Sequence, residues 1–173
     1  MVALALAAGF VTWIAVRSGS SGGPPARVTV TAASQPRVVS AADLRAAAAA
    51  IGHPLYWAGP RLGTRYELTR AAGGNAYVRY LPPNVRAGDR RAEFLAVGTY
   101  PVRNPFAQTR AAGRRHGAVT LKLPGGGIAV YDRTRPTSIY FAYPGSNVQV
   151  EVYSPRGQVA RNLVLAGQVV AVG

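Results

Sequence analysis

General acid–base catalysis needs two carboxylates, or a histidine with an orienting partner, within hydrogen-bond reach of one reacting atom. This sequence supplies six acids, Asp43, Glu67, Asp89, Glu93, Asp132 and Glu151, and two histidines, His53 and His116. Asp43 has the spacing of a helix start, Asp89 and Glu93 sit in or beside a polar loop, and Glu67 and Glu151 alternate with apolar neighbours on strand-like runs. Each reads as a solvated or arginine-paired surface acid rather than a catalyst. Both histidines fall where helices are expected to end. Two histidines without a third ligand, in a chain with no cysteine, give no metal set. Gly125-Gly126-Gly127 offers backbone amides to a phosphate, but such loops open directly into a helix, and Ile128-Ala129-Val130-Tyr131 reads as a strand. A hairpin turn is the better reading. No catalytic, cofactor-binding or metal-ligating residue is assigned, and no enzyme activity is expected.

Binding chemistry is better supplied. Tyrosines on strand-like runs interleave with arginines, and the set Arg65, Tyr66, Arg70, Tyr77, Arg79, Tyr80, Arg133, Arg135, Tyr140 and Tyr143 makes a candidate binding face. There, rings could stack on bases or sugars while guanidinium groups hold phosphates or carboxylates. Tyrosine is also a common half-buried strand residue, so the same pattern serves a sheet without any ligand. The charge balance favours an anionic partner: 20 basic residues stand against 6 acidic ones, for a net charge of +14. Only Lys122 among the basic residues is a lysine, and the chain is rich in Ala, Gly, Pro and Val, so part of the arginine content reflects overall amino-acid usage.

The elements that must position these groups are short. Ser40 as N-cap, with Asp43 three residues on, opens an alanine-rich helix carrying Leu44 and Ile51, and Gly52 stops it. Residues 55–57 read as a short strand. Residues 65–70 and 76–81 alternate around Ala71-Ala72-Gly73-Gly74-Asn75, a hairpin signal. A strand over 94–100 and a helix over 105–115 follow, then strands over 119–123, 128–131, 138–143 and 148–153. A last helix is expected from Pro155 to about Ala166 and a terminal strand over 169–172. The run TRYELTR with AYVRYLPP is echoed by GIAVYDRTR with SIYFAYPG, consistent with a tandem helix-plus-sheet repeat. The expected fold class is α+β: an N-terminal transmembrane helix, a disordered linker, then one small domain of mainly antiparallel sheet with two or three short helices.

Residues 1–17 are expected to be a membrane anchor, because residues 2–16 carry no charged side chain. Fifteen residues of helix are slightly short for a bilayer core, and no basic residue precedes the run as a cleaved signal would require. Residues 18–38 are expected to be a flexible Gly/Ser/Pro linker, and 39–173 the basic domain. Arg17 and Arg27, on the C-terminal side of the span, argue for a cytoplasmic domain by the positive-inside rule, whereas large C-terminal domains translocate regardless of charge. The favoured location is the cell membrane, single-pass, with the domain extracytoplasmic.

Leu95-Ala96-Val97-Gly98-Thr99-Tyr100, then Asn104-Pro105-Phe106 opening a helix that ends Gly113-Arg114-Arg115-His116-Gly117-Ala118, resembles the βαβ half of SPOR domains. The helix and strand between Asp43 and Trp57 are similar to the companion half, while the element order after Leu123 departs from that family. The resemblance implies a peptidoglycan glycan-binding module. The leading expectation is a non-catalytic, membrane-anchored bacterial envelope protein whose domain binds an anionic surface, wall polymer or protein partner. The partners expected are the lipid bilayer through residues 2–16, then an anionic lipid or cell-wall polymer, then a protein. A hydrolase of an envelope polymer and a cytoplasmic-facing nucleic-acid binder are the alternatives, nucleic acid ranking last.

Overall fold

The computed structural model describes residues 34–173, so the expected anchor and most of the expected linker lie outside the described residues. Ten strands and three helices follow one another as β1 (Ser34–Val39), α1 (Ala41–Ile51), β2 (Tyr56–Trp57), β3 (Arg65–Arg70), β4 (Ala76–Leu81), β5 (Ala96–Pro101), α2 (Pro105–Ala112), β6 (Ala118–Lys122), β7 (Ile128–Asp132), β8 (Ser138–Ala142), β9 (Val148–Tyr153), α3 (Gly157–Leu165) and β10 (Val170–Ala171). Eight strands form one sheet in the order β1-β3-β4-β5-β9-β8-β7-β6, and β10 pairs with β2 apart from it. Every pairing is antiparallel. The expected small domain of mostly antiparallel sheet is therefore present, with three helices. One boundary is corrected: the sheet starts at Ser34, so residues 34–38 of the expected linker are an edge strand on β3. Pro36 and the register irregularity between Ser34 and Arg37 are features that edge strands tolerate.

Strand alternation sends every second side chain to one face. On the first face Leu68, Val78, Val97, Val152 and Ile139 stand in one register row, and all five are 0% exposed. The helices α1 and α3 cover this face through Leu44 and Ala47 and through Ala160, Leu163 and Val164. Ser40 caps α1 reciprocally with Asp43: the Asp43 amide donates to Ser40 Oγ at 3.1 Å and the Ser40 amide donates to Asp43 Oδ2 at 2.8 Å. Burying Leu44 and its neighbours holds the helix down, since alanine-rich helices of 11 residues are marginal alone.

The second face is polar and is also covered. Over the β7–β9 side lies α2, whose Thr109 Oγ1 accepts from Gln149 Nε2 at 2.7 Å. Over β3 and β4 lies the connection 82–95, which packs Val85 and Phe94 on Leu81 and accepts the Tyr153 hydroxyl at the Ala92 carbonyl, 2.6 Å away. The two echoed hairpins, β3–β4 and β7–β8, occupy matching places on either side of the central β5–β9 pair.

Candidate functional site

The polar face buries two of the six acids, against the expectation that both are surface groups: Glu67 is 1% exposed and Glu151 is 5% exposed. Both sit on strands whose second face is covered, which an alternating sequence does not announce. Glu67 accepts from Arg79 Nη1 at 2.8 Å and from the Gly88 amide, so its charge is paired and its second oxygen is bonded.

Glu151 is held by hydroxyl groups. Ser138 Oγ and the Tyr140 hydroxyl each donate to Oε1 at 2.7 Å, and the Tyr100 hydroxyl donates to Oε2. A single register row explains the cluster, because Tyr77, Gly98, Glu151 and Tyr140 face one another across β4, β5, β9 and β8. Gly98 leaves room for the Tyr100 ring to fold back along its own strand, since a methyl group there would lie 2.7 Å from the Tyr100 hydroxyl. Tyr77 reaches the same hydroxyl and meets the Tyr100 ring edge-on at 5.7 Å. Burial, with the Glu151 carboxylate next in weight, pushes the Tyr100 and Tyr140 phenols above the ordinary tyrosine range.

Glu67 and Glu151 do not combine into one site. Strands β4 and β5 separate β3 from β9, so three strand spacings, about 14 Å, lie between them. Two carboxylates acting on one glycosidic bond stand about 5–10 Å apart. His53 is occupied at both ring nitrogens, 2.9 Å from the Pro54 carbonyl and 2.8 Å from that of Gly74. Among the described residues no group of three or more His, Cys, Asp or Glu could hold a metal ion.

The candidate binding face is divided by the sheet. Arg65, Tyr77, Arg79 and Tyr140 belong to the polar face, whereas Tyr66, Arg70 and Tyr80 belong to the core face. Arg79 and Tyr140 are buried, and Tyr80 is buried with its hydroxyl accepting from the Ala58 amide at 2.7 Å and donating to the Gly59 carbonyl at 3.1 Å. Tyr143 follows β8 and packs edge-on against Phe141 at 5.9 Å. Arg133 and Arg135 stand apart from these, exposed in the turn between β7 and β8.

That turn belongs to a second assembly, built from loops. Antiparallel order brings the α2–β6 loop, the β7–β8 turn and the β9–α3 loop to one end of the sheet. Three contacts lock them together: the Arg133 amide donates to the Gly117 carbonyl at 2.9 Å, the Ser154 amide to the Thr137 carbonyl at 2.9 Å, and Arg161 Nη1 to the Pro136 carbonyl at 3.3 Å. The turn lies so close to the start of α3 that a methyl group at Gly157 would stand 1.8 Å from the Pro136 carbonyl oxygen. Arg161 also lies over the Tyr131 ring, 5.0 Å from its centre.

Five exposed arginines crown these loops: Arg114 and Arg115 before β6, Arg133 and Arg135 in the turn, and Arg156 before α3. Asp132 lies among them, engaged within its own turn by the Thr134 amide and hydroxyl, each at 2.7 Å, and acted on by Arg135. Those bonds hold its carboxyl below the usual range. In the first half of the sheet Arg79 pairs with Glu67, and Arg91 with Asp89 and Glu93. The runs Arg114-Arg115 and Arg133-Thr134-Arg135 are visible in the sequence, but their convergence is a property of strand order.

The strand–helix–strand stretch that resembles half of a SPOR domain is present as β5, α2 and β6, but β9, β8 and β7 stand between those two strands. Comparison with protein-family models, with curated proteins and with solved structures gives no match to this chain. No helix among the described residues is long and apolar enough to cross a membrane.

Proposed function

We propose that the domain is a non-catalytic binding module of a membrane-anchored envelope protein, and that its arginine-rich end takes a polyanionic surface or wall polymer. The observation that carries this reading is the convergence of Arg114, Arg115, Arg133, Arg135 and Arg156 on three interlocked loops, with Asp132 engaged in its own turn. Guanidinium groups are always charged at neutral pH and bind phosphate or carboxylate oxygens in pairs, so a scaffolded group of them favours anions that present many such oxygens. Long-range attraction adds to encounter rate, because the chain carries +14 overall.

The uncharged run over residues 2–16 supports the anchor, and a reporter fused after Gly173 tests its sidedness: activity only in the cytoplasm would sink the envelope reading. The matching places of the β3–β4 and β7–β8 hairpins support a tandem helix-plus-sheet repeat in which the second copy carries the binding loops. The binding test compares the full chain with an Arg114→Gln, Arg133→Gln, Arg135→Gln variant on an anionic wall polymer and on an uncharged glycan. The expected result is retention on the anionic polymer alone, weakened roughly tenfold or more in the variant. Equal retention of chain and variant would overturn the proposal.

A further inference from the structure

The loop between β2 and β3 reaches the same end of the sheet as the arginine loops, because β3 begins where β4, β7 and β9 finish. Its tip is apolar. Leu62 is 103% exposed, held out between Pro60-Arg61 and Gly63, whose φ of +70° turns the chain sharply. An isolated exposed leucine needs no explanation on a protein surface; the groups flanking this one supply the argument. Arg61 packs over the Tyr80 ring at 5.9 Å, and Arg65 donates through Nη2 to the Val85 carbonyl. Neither arginine forms one of the ion pairs with Glu67, Asp89 or Glu93.

Contacts run without a break from this tip to the arginine loops. Arg65 meets Val85, the 82–95 connection meets Tyr153 through Ala92, Ser154 meets Thr137, and the turn meets Gly117. The 82–95 connection adds exposed Arg86 and Arg90.

We infer that this end of the domain docks on an anionic bilayer surface, with the Leu62 side chain entering the headgroup layer and arginines on both sides meeting lipid phosphates. The inference rests on the polyanion reading above and narrows it to one partner. Apolar insertion plus cationic contact is the combination that separates a lipid surface from a soluble polymer: each arginine near the surface contributes about fivefold in affinity, while the leucine gains only where an apolar phase lies within reach.

The chain has no cysteine, so Leu62→Cys carrying an environment-sensitive fluorophore reports on this tip alone, and Asn147→Cys, exposed in the turn at the opposite end, serves as its counterpart. The full chain is reconstituted into vesicles of zwitterionic lipid and into vesicles containing phosphatidylglycerol, each with and without spin-labelled lipid. The expected result is a blue shift and lipid quenching at position 62 in the anionic vesicles only, none at 147, and loss of the signal when Arg133 and Arg135 are changed to Glu. A probe at 62 that stays aqueous in anionic vesicles overturns the docking inference. In that case, if the arginine substitutions still abolish retention on the anionic wall polymer, the polyanion reading stands; if they change neither readout, both fall.

Discussion

Glu67 and Glu151 are buried on the same face of one sheet, yet the first half of the fold holds its carboxylate with an arginine and the second half holds its own with three hydroxyls. The two solutions differ in whether a cation is drawn inside. Pairing Glu67 draws Arg79 inward, where Phe94 stacks on its guanidinium at 5.2 Å, and the neighbouring arginine Arg91 is engaged by Asp89 and Glu93. Ser138, Tyr100 and Tyr140 satisfy Glu151 without using a cation, and Arg114, Arg133, Arg135 and Arg156 face solvent on the loops of the second half.

The largest effect expected from breaking this contrast comes from Arg79→Met. It strands a carboxylate that is 1% exposed, and removing one member of a buried pair costs about 3–5 kcal/mol. Replacing both members, with Glu67→Leu added, should recover most of that loss, because a buried pair of this kind exchanges nearly evenly for apolar packing. Chemical denaturation of the single and double variants checks both statements. Gly98→Ala comes next at about 1–3 kcal/mol, since the new methyl displaces the Tyr100 hydroxyl from Glu151 in a packed interior.

Tyr140→Phe removes one of those donors and should cost about 1.5–3 kcal/mol at neutral pH, the range for a bond to a charged acceptor. It also changes the pH response. A phenol raised above its ordinary range binds its proton more tightly in the folded chain than in the unfolded one. It therefore adds stability below about pH 10 and loses that contribution as pH rises through 10 toward the folded value. Thermal melts should fall off above about pH 10, and more gently in Tyr140→Phe. The smallest effect is expected from Arg91→Ala: the side chain is 54% exposed, and its removal should leave the melting temperature unchanged.

Much of the fold could be read from local signals. The Ser40–Asp43 capping box, the strands over Arg65–Arg70, Ala76–Leu81 and Val148–Tyr153, and the turn at Gly73-Gly74 are all written in adjacent residues. Strand β1 was not legible, because Ser34-Gln35-Pro36 has the composition of a linker and gains its structure only by pairing with β3. The burial of Glu151 was hidden for a related reason: the alternation VQVEV signals one wet face, and the groups that cover it, α2 over Gln149 and Tyr100 and Tyr140 over Glu151, come from elsewhere in the chain. The candidate binding face failed to assemble because strand periodicity assigns Tyr66 and Tyr77 to opposite sides. Its two surface members, Arg133 and Arg135, found their neighbours through topology, which sequence spacing does not encode.

The most direct test of the arginine-rich end is the salt dependence of binding between the full chain and an anionic wall polymer, beside an Arg114→Gln, Arg133→Gln, Arg135→Gln, Arg156→Gln variant. If these guanidinium groups displace counterions from the polymer, log affinity falls linearly with log salt concentration, and the slope for the variant is shallower by about one per arginine removed. Equal slopes for the two proteins would contradict the account.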